Sequence, residues 1–149
     1  MAVVMENVVL PQRSRKRGLS YEISAKHHGG NRRAAMWSPE VTPAEEFAIF
    51  DAADFGDVFD GRGSLYGVEP LAQQLRTLGM WQEQLAKFPR KRPNEPWHCY
   101  PVWPLEIPRK GRATKPRKHR PPKEVFDRMR EVGLITERQR MRLMNGEYA

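Results

Sequence analysis

Histidine and cysteine are the side chains best able to trade protons, attack a substrate or ligate a metal near neutral pH. This 149-residue sequence holds them at His27, His28, His98, Cys99 and His119. Zinc sites draw on ligand pairs at short, defined spacing. A His-His pair near the start and a His-Cys pair far along the chain do not make that pattern, so no metal and no other cofactor is expected. Cys99 is the sole cysteine, which rules out an intrachain disulfide. Flanked by aromatic residues, it reads as a buried, inert thiol rather than a nucleophile. His98 or His119 could serve as general acid or base in a metal-independent, toxin-like ribonuclease, with neighbouring Arg and Lys stabilising the charge built up at phosphorus. Spacing alone does not bring them together. The stretch GRGSLYG lacks the Lys-Ser/Thr ending of a phosphate loop.

The cations and rings point to binding. Residues 109–123, RKGRATKPRKHRPPK, hold eight bases and no acid. Such a run repels itself and stays extended until a polyanion supplies the opposite charge. Phosphates do so while releasing counterions, without any reading of sequence. Arg109, Lys110, Arg112, Lys115, Arg117, Lys118, Arg120 and Lys123 are the phosphate-contacting candidates, extended by Lys87, Arg90, Lys91 and Arg92 in KFPRKRP. Just before the arm comes PWHCYPVWP. On a polyproline-type chain of three residues per turn, Trp97, Tyr100 and Trp103 share one edge and could stack on unpaired bases. The competing reading is that these rings fill a small core. For the arm, the competing readings are a solvated linker, an import signal, an acidic protein partner, or folding against the chain's own acids.

Those acids are segregated. Residues 38–60 carry seven acids and no base, whereas 87–123 carry twelve bases against two acids, within a net charge of +8. The acidic block could mask the arm, or repel nucleic acid from one face and so orient it.

Local signals mark the elements that would position these groups. Thr42-Pro43 with Glu45 is a capping box that opens a helix, which fails near Gly56. Leu71, Leu75, Leu78, Trp81, Leu85 and Phe88 recur at helical spacing and predict a helix from Pro70 to Phe88, stopped by Pro89. After Pro121-Pro122 a short helix ends at Gly133. Thr136 and Gln139 open another, and Asn145-Gly146 closes it. This hairpin departs from a helix–turn–helix reader at Met129 and Gln139, where that motif packs a small residue and an aliphatic one. Arg138 and Arg142, one turn apart, could clamp a phosphate or merely form a solvated face.

Hydrophobic residues are 39% and charged residues 30% of the chain, so the core should not include all of it. The expected architecture is mainly α: a basic, largely irregular arm at 1–37, a compact helical core with an aromatic, proline-rich ribbon at 38–108, a basic linker at 109–123 and a helical hairpin at 124–149. The apolar opening MAVVMENVVL has no basic leader and no cleavage site, and no apolar run approaches the roughly 18–20 residues that span a bilayer. A cytoplasmic protein is expected, with nuclear or organellar placement also compatible. The expected function is non-catalytic nucleic-acid binding, to RNA or single-stranded DNA, as a subunit or regulator of a larger assembly. The rivals are an adaptor or inhibitor gripping an acidic protein partner, and the small ribonuclease.

Overall fold

The computed structural model describes residues 8–10, 21–23, 37–80, 82–89, 97, 99–102 and 120–149, with backbone only at 8–10, 22 and 23. Two short strands, β1 (Val8–Leu10) and β2 (Tyr21–Ile23), pair antiparallel with Leu10 opposite Tyr21. Helix α1 (Pro43–Phe55) follows, opened by the Thr42/Glu45 capping box with both reciprocal hydrogen bonds made. Then come β3 (Leu65–Gly67), β4 (Leu85–Phe88) and β5 (Tyr100–Val102), an antiparallel sheet in the order β3-β4-β5. Helices α2 (Lys123–Glu131) and α3 (Glu137–Met144) end the chain.

The described residues are therefore not mainly α: three helices stand among them beside a three-stranded antiparallel sheet. The helix expected from Pro70 to Phe88 is absent. Residues 70–80 and 82–84 run irregularly and 85–88 form the central strand, while Trp81 lies outside the described residues. The apolar stripe does not face one way. Leu75 and Leu85 enter one core cluster, Leu78 and Phe88 enter another, and Leu71 is 46% exposed. A strand buried on both faces carries apolar residues without clean alternation, and here their spacing imitates a helix. Around Gly79 the chain turns instead. Leu78 and Gly79 donate their N–H groups to the Glu83 carbonyl, Ser38 N–H reaches the Leu78 carbonyl at 2.7 Å, and Gln82 takes a positive φ of 63°.

The pleat sends successive side chains to opposite sides. Leu65, Ala86, Phe88 and Cys99 face α1, where Phe47, Ile49, Phe50 and Ala53 meet them together with Tyr21 and Trp37. Tyr66, Val68, Leu85 and Val102 face α2 and α3, packing with Val125, Phe126, Met129, Ile135 and Leu143. The sheet thus lies between α1 and the α2–α3 hairpin. Gly67 lets α1 sit directly on β3, since a Cβ there would come within 2.6 Å of Ile49 Cγ2 and 3.0 Å of its carbonyl oxygen.

The hairpin turn follows from its local sequence. Gly133 has φ +80°, Gly133 N–H bonds to the Arg130 carbonyl and Leu134 N–H to that of Met129, the paired bonds of a left-handed helix stop. The same pair recurs after α3, with Gly146 bonding to Leu143 and Glu147 to Arg142. Thr136 and Gln139 cap the start of α3 reciprocally. Among the described residues no helix is long and apolar enough to cross a membrane.

Candidate nucleic-acid interface

Trp97 and Tyr100 do not share an edge. Residues 100–102 are strand rather than polyproline helix, and in a strand neighbours diverge to opposite faces. Pro101 fits because, among the described strands, β5 lies at the sheet's edge, where a missing N–H costs little. Trp97 turns toward α1 and packs half-buried, its ring 6.3 Å from Phe50 and 6.5 Å from Phe59. Tyr100 goes to the other side, against the core shared with α2 and α3. Trp103 lies outside the described residues.

On the hairpin face, Tyr66, Lys87 and Tyr100 form one row across the three strands. Lys87 Nζ stands 5.8 Å from the Tyr66 ring centroid, a cation–π contact. Partial burial lowers the Lys87 pKa, with Asp60 pulling the other way. The Tyr66 hydroxyl donates to Asp60 Oδ2 at 3.2 Å, and burial, with the Asp60 charge, raises its pKa. Lys87 is thus half-buried and tied into the sheet rather than standing free.

Of the arm's cations, Arg120 and Lys123 are described. Arg120 Nη2 donates to the Met144 carbonyl at 3.0 Å, which brings the end of the arm against the end of α3. Lys123 pairs with Asp127 at 2.6 Å, both exposed. Arg90, Lys91, Arg92, Arg109, Lys110, Arg112, Lys115, Arg117, Lys118, His98 and His119 lie outside the described residues, as do His27 and His28.

Most hairpin cations have carboxylate partners within the chain. Arg140 bridges Glu137 (2.6 Å) and Asp127 (3.0 Å), Arg128 reaches Glu131 and the Gly56 carbonyl, and Arg130 approaches Glu137 at 3.6 Å. Two residues on the same helix differ. Arg138 is exposed and makes no hydrogen bond or ion pair among the described residues. Arg142 uses Nε to hold the Tyr148 carbonyl at 2.5 Å and has no carboxylate partner there. Both line an open groove of about 630 Å³ between α3 and the 70–74 segment. Their spacing was legible in the sequence, but the absence of a carboxylate partner among the described residues and the groove beside them were not.

The acids of α1 are not all on its outer face. Glu46 and Asp54 are both 0% exposed. The Tyr21 hydroxyl donates to the Glu46 carboxylate, and Cys99 Sγ lies 2.9 Å from that hydroxyl. Burial, followed by the Glu46 charge, pushes the Cys99 thiol well above its ordinary value, so it is held as a thiol inside the core. Burial, followed by Cys99 and Glu46, likewise raises the Tyr21 phenol. The cluster joins β2, α1 and the start of β5, an arrangement no local signal announces. Among the described residues, no three His, Cys, Asp or Glu side chains are placed to hold a metal ion. Comparison of the chain with protein-family models, with curated proteins and with solved structures finds no match.

Proposed function

We propose that the protein binds single-stranded nucleic acid without catalysis, as a subunit or regulator of a larger assembly, and that the arm between β5 and α2 is its principal phosphate contact. One observation carries this reading. Val102 before the arm and Val125 after it belong to the same core cluster. The described residues on either side of the cation-rich segment are therefore anchored in one folded body. Anchoring both flanks lowers the entropy cost of binding a ligand along the cations between them. The charge pattern agrees. Where the hairpin has acids it pairs its cations with them, but 109–123 contains no acid of its own. The acidic helix α1 packs on the opposite side of the sheet from α2 and α3. A polyanion would accordingly approach from the hairpin side.

The rings play a smaller part than the phosphate contacts in this reading. Tyr100, half-buried beside Lys87, is better placed to flank a bound strand than Trp97, which is committed to the α1 face. Titrating fluorescein-labelled single-stranded RNA and DNA across a salt series tests the proposal. Neutralising five phosphates would give a slope of log affinity against log salt of about −3.5. Affinity insensitive to salt, or an acidic polypeptide partner that survives nuclease digestion while oligonucleotides fail to bind, would favour the adaptor instead.

A further inference from the structure

We infer that the groove between α3 and the 70–74 segment is a nucleotide subsite of this same interface. In it Arg138 and Arg142 hold a phosphodiester and the Gln73 and Gln74 amides face the base. The inference rests on the nucleic-acid reading and adds a second, structurally defined contact to it. Arg138 and Arg142 are separated by one helical turn, about 6 Å along the axis, so both guanidinium groups can engage one phosphate or a neighbouring pair. The lining holds these two arginines and no Asp or Glu side chain, so its side chains carry only positive charge.

The rest of the groove suits a base. Leu71, 46% exposed, and half-buried Leu134 supply apolar surface, with Tyr148 beside them. The Gln84 amide is occupied by the backbone of Leu75 and Ala149, and that of Gln139 caps α3. Gln73 and Gln74 differ: both are exposed, and their side chains make no hydrogen bond among the described residues. A side-chain amide offers a donor and an acceptor together, the pairing a base edge requires. An acidic peptide could satisfy the arginines, but its carboxylates could use only the donor half of each amide.

Continuity with the arm favours nucleic acid further. Arg120 meets α3 at the Met144 carbonyl, two residues beyond Arg142 in sequence. A strand contacting Arg120 would thereby meet the helix that carries the two arginines. The groove's volume of about 630 Å³ falls within the roughly 300–1,000 Å³ typical of small-molecule sites.

The test uses the full chain and a fluorescein-labelled single-stranded oligonucleotide containing 4-thiouridine. Arg138→Ala removes an exposed cation with no described partner, so its melting temperature should equal that of the parent. Its affinity should fall severalfold and its salt slope should shrink by about 0.7, the share of one phosphate. Gln73→Ala/Gln74→Ala should weaken binding while leaving the salt slope unchanged. Photocrosslinks should map to peptides containing Leu71 or Tyr148. If the parent protein binds the oligonucleotide but Arg138→Ala matches it in affinity and slope, with crosslinks elsewhere, the subsite is wrong and the arm alone binds. If the parent binds no oligonucleotide, both readings fall. If an acidic peptide occupies the groove and the oligonucleotide does not displace it, the groove serves a protein partner and this inference is overturned.

Discussion

Gly67→Ala separates the observed fold from the helical one that the leucine spacing suggests. Gly67 closes β3 opposite Ala86, and its Cα faces Ile49 on α1. A methyl group there would lie 2.6 Å from Ile49 Cγ2 and 3.0 Å from the Ile49 carbonyl oxygen. Carbon atoms pack comfortably at about 3.5–4.0 Å. The overlap with Cγ2 is therefore about 1 Å. Turning the Ile49 side chain cannot relieve the second contact, which is to backbone, so α1 must shift off the strand. Overpacking of this kind costs about 1–3 kcal/mol. For a domain of this size a loss of about 2 kcal/mol lowers the melting temperature by roughly 4–8 °C. The measurement is a pair of melts, thermal and in urea, on parent and variant. A double-mutant cycle with Ile49→Ala sharpens it: with Cγ2 gone, Gly67→Ala should cost less, and the difference is the coupling between α1 and β3. If residue 67 instead lay in a connecting loop, the added methyl would be neutral or slightly stabilising. A cost below about 0.5 kcal/mol, or the same cost with and without Ile49, would refute the seating of α1 on the sheet.

Two other outcomes follow from the geometry. The backbone N–H of Thr42, then the Arg76 guanidinium, hold the Glu45 carboxyl at about 2, below its ordinary 4.5, so its stabilising effect is present above pH 4.5 and is lost as the pH falls toward 2. Glu45→Gln should therefore melt below the parent at neutral pH, with the gap closing over that window; a gap independent of pH would mean that the pair with Arg76 contributes nothing. Trp97→Ala removes a half-buried ring from Phe50 and Phe59 and should cost about 2–3 kcal/mol, less than the roughly 3–5 kcal/mol of a fully buried ring; an unchanged melt with weakened oligonucleotide binding would make Trp97 a stacking platform instead.

The parts of this fold legible from the chain alone are those whose causes lie within a few residues of one another. Thr42 with Glu45 and Thr136 with Gln139 each close their bonds across three positions, and Gly133 and Gly146 supply the positive φ that stops a helix. Segregation of acids at 38–60 from bases at 87–123 is likewise plain in the sequence, because charge adds without reference to shape. Tertiary structure alone decided the rest. Leu85 and Phe88 fit the end of a helical stripe with Leu75 and Leu78 as well as they fit the two faces of a strand. Pairing with Leu65 on one side and Val102 on the other selects the strand at 85–88, and those partners are distant in sequence. The same holds for Trp97 and Tyr100, which part to opposite faces once β5 joins the sheet. It holds too for α3, where Arg140 is neutralised by Asp127 and Glu137 while Arg138 is left without a partner among the described residues. Propensity and capping act along the chain, whereas which apolar face is covered and which cation meets a carboxylate depend on what the fold brings close in space.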